Sequence, residues 1–488
     1  MKKLLALVLA LVMSLSLVTI SNADFKDADK IDYNEAVDVM VAVGVLKGYD
    51  NGNFGAKDTL TREQAAKIIA YLELGDKAAD ALVGGKTFTD VTASRWSAGF
   101  IGYCAQAGIV AGVGNGQFNP TGELTALQFG KMLLVELGYD AKAAGMVGDD
   151  WTVATSKLMA KADLMDGIEG SVNQVLTREK AAKMCLNALE APTVEYDTKG
   201  SSLSVNGAEI NFGASEPTYV TNTIAKEQTI SNEKLSNSNA YLIELGEKLY
   251  KNLKKIGTTD DFGRPATKWT WKSETVGTYA DDADLTYTKA VKASDIYKDL
   301  NLSDDIAAKN VTVWVNGEVK TAAATDIKKA NDAKIGDVAG VNSNGNGVLT
   351  EVFYDDVDNT VVITQIVTYV GEVNKTVKAT DNRDAYIVIE TKTGGNGMTK
   401  PTAKGTYEYE TDEKFEDDTF VLYTYSVKAE GVKSVKAAEK VEGYVSKTIN
   451  KAIDTDKNNG MTISGTEYKM SLATAGDKLG NVSVKNDY

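Results

Sequence analysis

Histidine is absent from all 488 residues, which excludes His-based triads, His zinc sites and imidazole general bases together. Gly-x-Ser-x-Gly, the P-loop and the dinucleotide fingerprint are missing too, so only carboxylate chemistry stays open, as in a glycosidase with paired acids. Asp and Glu total 68, and that abundance nominates no pair. Cysteine occurs twice, Cys104 and Cys185, each on a predicted apolar helix face. A disulfide and two buried free thiols are both open, the thiols being favoured because a repeat fold needs no staple. After Leu4–Ile20 no apolar run is long enough to span a membrane. Positive charge is in deficit: net charge is −15 and the pI about 4.8, which argues against nucleic acid or an anionic lipid surface as partner. Arginine occurs only five times.

Met1-Lys2-Lys3, the apolar run and the small residues Ser21 and Ala23 read as a secretory signal peptide, residues 1–23, cleaved before Asp24 and leaving no membrane anchor. The next part is repetitive. Gly44-x-x-x-Gly48 matches Gly108-x-x-x-Gly112, and a third copy has Asp163-x-x-x-Gly167. From the second glycine to a threonine (Thr61, Thr125, Thr177) is 13 residues in two copies and 10 in the third. Each copy predicts helix, glycine-bounded loop, helix: Ala36, Val39, Met40 and Val43 make a helical stripe, and each threonine is an N-cap. Thr61…Gln64 and Thr125…Gln128 complete capping boxes, whereas Thr177…Lys180 does not. Two of the five arginines, Arg62 and Arg178, hold one register position in Leu-Thr-Arg-Glu, where the second copy has Ala126. Units of this size stack because none buries its own apolar face.

The motifs Phe88-Thr89-Asp90, Trp96, Gly108-Ile109-Val110-Ala111-Gly112, Phe118-Asn119-Pro120 and the threonine motifs together resemble the S-layer homology (SLH) domain, in three tandem copies over Phe25 to Glu190. Members of that family bind secondary cell-wall polysaccharide, often carrying pyruvate ketals. The resemblance implies a ligand-binding role for Arg62 and Arg178, with Thr61, Thr177, Asp27, Asp90, Trp96, Gly48 and Gly112 around the grooves. Ala126, the short third loop and the missing first tryptophan imply fewer than three working grooves.

An arginine in the first turn of a helix is mildly unfavourable against the helix dipole, by roughly 0.3–1 kcal/mol. It is coherent where free helix N–H groups and a guanidinium fork receive an anion together. The alternative is that Glu63 and Glu179 offset the charge and each arginine salt-bridges a neighbouring repeat. For Trp96 and Trp151, sugar stacking and core packing at a helix start are equally open.

After Ala191-Pro192 the sequence turns to Thr, Val, Tyr and Lys in alternation, the pattern of half-buried strands. Asn206-Gly207 and Asn316-Gly317 predict two-residue hairpins. Val311–Val319, Thr360–Val370, Tyr386–Thr391, Phe420–Tyr425 and Met461–Met470 read as strands, and Ala240–Ile256 as one helix with Leu242, Leu245, Leu249, Leu253 and Ile256 on a face. Gly371-x-Val373-x-Lys375-Thr376 recurs as Gly443-x-Val445-x-Lys447-Thr448, suggesting tandem β modules. Asp454-Thr455-Asp456-Lys457-Asn458 and Asp355-Asp356-Val357-Asp358-Asn359 have calcium-loop oxygens but lack the loop's glycine and acid in place, and read better as polar turns.

The expected fold class is multidomain: an all-α helix–loop–helix repeat domain of three SLH repeats, followed by mainly-β modules with one intervening helix. Expected boundaries are 24–83, 84–144 and 145–192 for the repeats, 193–300 for a mixed β/α region, 301–430 for β-rich modules and 431–488 for a short C-terminal β module. The expected function is non-catalytic anchoring to anionic wall polysaccharide at the bacterial surface, with no cofactor, calcium being left open without a locating loop. The partners expected are that glycan and further copies of the chain in a surface lattice. The rival readings are a wall-anchored carbohydrate-active enzyme using carboxylates of the β region, and an adhesin.

Overall fold

The computed structural model describes residues 20–21, 25–85, 87–198, 201–205, 208–212, 215–222, 230, 234–288, 290–335, 347–380, 383–391, 405–411, 413–439, 441–449 and 460–469. They fall into two compact units: a helical one, Ile20–Ile256 with Lys268–Tyr279, and a β-rich one built from Gly257–Thr267 and Ala280–Tyr488.

The helical unit holds six main helices: α1 (Asn34–Ala42), α2 (Arg62–Leu74), α3 (Ala98–Gln106), α4 (Ala126–Glu136), α5 (Trp151–Lys161) and α6 (Arg178–Glu190). They pair as three helix–loop–helix copies. The stripe Ala36, Val39, Met40, Val43 is buried as its period requires. Gly44 and Gly108 close the first helices at φ +86° and +76°, the left-handed stop that glycine takes at least cost. The Thr61 and Thr125 capping boxes form, and the Thr177 hydroxyl makes no cap bond.

The copies form a ring. Before each second helix the backbone of one copy donates to the copy before it: Leu60 N to Leu176 O (2.8 Å), Leu176 N to Leu124 O (3.0 Å) and Leu124 N to Leu60 O (3.3 Å). All three leucines are buried, so a closed cycle of amide bonds lies in the apolar centre, where each unmade bond would cost the full desolvation of its groups. The first helix of each copy packs on the second helix of the copy before it: α3 on α2, α5 on α4, α1 on α6. Cys104 and Cys185 are free buried thiols in this core, and burial raises the pKa of both.

This core does not stop at residue 192. Ile230, Leu245, Tyr250, Leu253, Trp269, Val276 and Tyr279 belong to the same apolar cluster as the helices. The single helix expected over 240–256 is instead a strand (Tyr241–Leu242), a short helix (Leu245–Leu249) and a strand starting at Leu253. The leucines at helical spacing are the inward residues of three different elements. Gly246 lies against Leu189 O, and a Cβ there would come within 2.9 Å of it.

In the β-rich unit the 18-residue strand Thr360–Val377 is central. Its first half lies between Val348–Asp355, antiparallel, and Val311–Val315, parallel. Its second half pairs with Tyr386–Thr391 and Phe420–Ser426. The expected strand Val311–Val319 is a hairpin turning at Asn316-Gly317, both residues at positive φ (49° and 83°) as a type I′ turn demands. Met461–Met470 likewise divides at Ser464-Gly465 into Gly460–Ile463 and Thr466–Lys469. The Asn206-Gly207 turn lies outside the described residues, between strands Ser201–Val205 and Ala208–Phe212 that pair in the hairpin register. The repeated Gly-x-Val-x-Lys-Thr motif has a backbone counterpart: the ladder shifts by a bulge between Val373 and Lys375, and again between Val445 and Lys447.

Candidate functional site

The ring places the N-terminus of each second helix on the loop of the next copy. The amides of Arg62 and Glu63 donate to the carbonyls of Gly122 and Pro120 (2.9 and 3.0 Å), and those of Arg178 and Glu179 to Asp58 and Ala56 (3.0 and 3.2 Å). The helix-terminal N–H groups expected to form part of an anion site are therefore consumed between copies. Any anion must be met by side chains.

The arginines do not make the salt bridges of the alternative reading. Arg62 donates from Nε to Phe118 O (2.8 Å) and from Nη2 to Ala111 O (2.9 Å), with its guanidinium 4.5 Å from the Phe118 ring centroid. Arg178 repeats the arrangement on the first copy: Nε to Phe54 O (3.1 Å), Nη2 to Lys47 O (2.9 Å), stacked on Tyr49 and Phe54. Among the described residues neither has a carboxylate within ion-pair distance. Desolvation lowers the pKa of both, yet a guanidinium stays charged. Each thus fixes a neighbour's loop through neutral carbonyls, with the charge of Asp90 acting on Arg62 and those of Asp58 and Asp27 on Arg178 from beyond ion-pair distance.

The ion pairs fall to the adjacent acids. Glu63 receives Arg95 Nε and Nη2 (2.7 and 2.8 Å) and Ser97 Oγ (2.5 Å); Glu179 receives Asp32 N (2.8 Å) and Lys57 Nζ. Asp27 accepts from the amides of Phe54 and Gly55 (2.7 and 2.9 Å), and Asp90 from Phe118 and Asn119 (2.8 and 2.7 Å). Burial works against ionisation of these two aspartates, but the amide hydrogen bonds outweigh it and hold their pKa below the ordinary value. Asp27 and Asp90 thus shape the loops from behind. Gly48 and Gly112 serve the same packing: a Cβ on Gly48 would come within 2.5 Å of the Phe25 ring, and one on Gly112 within 2.7 Å of Gln117 O. Thr61 caps α2, and the Thr177 hydroxyl is buried without a partner.

Arg62 and Gly112 meet in an open groove of about 360 Å³, walled also by Lys131 and Met132 of α4 and by Trp151 of α5. Its lining holds two cations and no carboxylate, in a protein of net charge −15. The Lys131 ammonium lies 5.4 Å from the Trp151 ring centroid, and burial lowers its pKa. The corresponding place on the α2–α3 seam has Lys67, 5.0 Å from the Tyr71 ring and 6.0 Å from that of Trp96. Trp96 is 54 % exposed, so it is not core. Lys67, Lys131 and Lys183 each stand six residues after the threonine of their copy, a register signal that attention to the arginines alone passes over.

The joint between the second and third copies differs. Ala126 is fully buried, and its amide and that of Leu127 bond to Gln174 O (3.1 Å) and Val172 O (2.7 Å) of the shortened loop. Lys180 takes over loop support, donating to Glu169 O (3.0 Å) and Gln174 Oε1 (2.9 Å).

In the β-rich unit the buried carboxylate Asp260 accepts from Arg264 Nε at 2.7 Å, and Glu351 lies 3.8 Å from Arg264 Nη1. An arginine between two acids makes a clamp on the turn at Phe262. Asp355 accepts from the amides of Val357 and Asp358 (2.9 and 3.0 Å), so the 355–359 segment is a polar hairpin turn. The 454–458 segment lies outside the described residues, and no group of three or more potential metal-ligating side chains occurs among the described ones.

Comparison with known proteins bears on the same residues. The family model described as "S-layer homology domain" matches residues 24–66 and 87–127, the first copy through Arg62 and most of the second. A "Surface layer protein" of Brevibacillus choshinensis is 28% identical over 212 residues, 42% of this chain and 18% of its own length. A "Cell surface protein" of Thermoanaerobacter kivui is 25% identical over 429 residues, 81% of this chain and 53% of its own. A "Cellulosome-anchoring protein" of Acetivibrio thermocellus is 31% identical over 105 residues, 20% of this chain and 24% of its own. The chain thus spans between about a fifth and about half the length of these relatives.

Proposed function

We propose that this S-layer-like, cell-surface protein is held non-covalently to an anionic secondary cell-wall polysaccharide by the ring of repeats, makes and breaks no bond, and presents its β-rich unit as the exposed part of a surface layer. The observation that carries this is the groove of Arg62 and Lys131 beside Trp151, cationic in an acidic chain. A planar guanidinium suits a carboxylate such as a pyruvate ketal, an ammonium supplies a second point charge, and an indole face suits a pyranose ring. Arg178, Lys67 and Trp96 would form the second groove. Asp27, Asp90, Gly48, Gly112 and Thr61 hold the loops and helices in position, and Thr177 makes no cap bond. The boundaries 24–83, 84–144 and 145–192 remain the reading for the repeats, with 193–300, 301–430 and 431–488 for the rest of the chain. The wall-binding part would need the residues of 193–279 that close the helical core.

The test is co-sedimentation of the mature chain with purified wall sacculi, before and after chemical stripping of the secondary polymer. Lys131→Ala with Lys67→Ala, changes that leave the loop-holding bonds alone, should weaken retention by about tenfold or more, the loss expected for charge-assisted contacts. Retention that survives both stripping and the double substitution would overturn the proposal.

A further inference from the structure

We propose that the third seam of the ring, α6 against α1, is the docking seat for this chain's own segment Lys268–Tyr279 and not a wall-ligand groove. The proposal rests on the anchoring reading for what a groove would bind.

Three seams repeat one plan, so their differences are informative. Counting back from Gly44, Gly108 and Asp163, the first helices carry Glu35, Gly99 and Ala154 at one position and Asp38, Gly102 and Lys157 at another. Only α1 thus has a carboxylate at both positions, and they lie one turn apart. Both are engaged by the returning segment: Trp269 Nε1 donates to Glu35 (2.6 Å) and Tyr279 Oη to Asp38 (2.6 Å). Trp269 is fully buried and Tyr279 nearly so, in one cluster with the helical core. Lys255 closes the α6 side, paired with Glu190 (2.7 Å) and 5.9 Å from the Trp269 ring centroid. Two hydrogen bonds to carboxylates and a buried indole make a specific seat.

The same seam has lost what the other two keep. Its arginine would come from position 126, an alanine. Its lysine, Lys183, feels the Glu35 carboxylate, where the other seams have glycine and alanine. An anion approaching this seam meets one lysine, no arginine and a part-buried carboxyl that the other seams lack.

Retention of the full mature chain on sacculi decides the matter. Lys183→Ala should leave half-saturation unchanged, while Lys67→Ala and Lys131→Ala each raise it several-fold. Lys183→Ala acting as strongly as Lys131→Ala would overturn the assignment and leave anchoring intact; silence of all three lysines would remove the anchoring reading itself. The seat has its own readout in hydrogen exchange. Glu35→Gln combined with Tyr279→Phe should speed amide exchange in 268–279 and in α1 while leaving α3 and α5 unchanged. Unaltered exchange in 268–279 would overturn the seat whatever the lysines do.

Discussion

At the scale of single residues, the motif arginines are loop-holding groups, and the proposed function passes the binding task to lysines outside the motif. Arg62 and Arg178 spend Nε and Nη2 on carbonyls of the adjacent loop, so replacing either with alanine would loosen the ring whatever it did to a ligand. Under the proposed function Lys131, which holds no loop, would report on binding alone. The geometry also sets the outcome at Ala126. A ring read only as three equal grooves would let Ala126→Arg restore a missing contact. Ala126 is instead fully enclosed, facing a loop three residues shorter than its counterparts (10 against 13). An arginine there would be buried without the carbonyl cradle the others have. We expect Ala126→Arg to destabilise the helical unit by several kcal/mol and to lower retention through unfolding, read as a fall in melting temperature. A variant that melts as the parent does would show that the shortened loop can still cradle a guanidinium.

At the scale of elements, the three N-caps make an internal control. Thr61 closes a capping box and Thr177 makes no cap bond, its hydroxyl buried and unpartnered. Thr61→Ala should cost about 1 kcal/mol. Thr177→Val, which exchanges an unsatisfied hydroxyl for a methyl of similar shape, should be neutral or stabilising. Equal losses in chemical denaturation would contradict the assignment of the two caps. Local signals of this kind are legible in the sequence: capping boxes, glycine stops and the Asn316-Gly317 turn depend on a few neighbouring residues. The illegible features depend on distant ones. The leucines of 242–253 keep helical spacing although a strand, a short helix and a second strand carry them, and Ile256, the last residue of the expected face, is exposed. The loop carbonyls that receive Arg62 lie 49 and 56 residues away, so the sequence displays the charge and conceals its partner. Lys131 stands in plain register, but a lysine on a helix face is ordinary until a groove without acids is seen around it.

At the scale of the whole molecule, closing the ring puts a carboxyl where none would be chosen for stability. Glu136, near the end of α4, is 7 % exposed. Burial, with Glu73 adding to it and Lys248 opposing, pushes its pKa up to about 8. A carboxyl whose pKa is raised on folding contributes its stability fully below the unfolded value near 4.3, and loses it as pH rises through the folded value. Between those limits the native state holds a proton that the unfolded chain releases, which is of order several kcal/mol across the window. Asp27 and Asp90 act in the opposite sense, their lowered values removing stability only as the medium becomes strongly acidic. The helical unit should therefore be most stable in mildly acid solution and weaken steadily from about pH 5 to pH 9. Glu136→Gln keeps the shape and removes the titration. It should match the parent near pH 4, exceed it by several kcal/mol at pH 9, and flatten the denaturation midpoint against pH in between. Parallel pH profiles for parent and variant would mean that Glu136 reaches solvent or a cation in the native ring and that its burial carries no such cost.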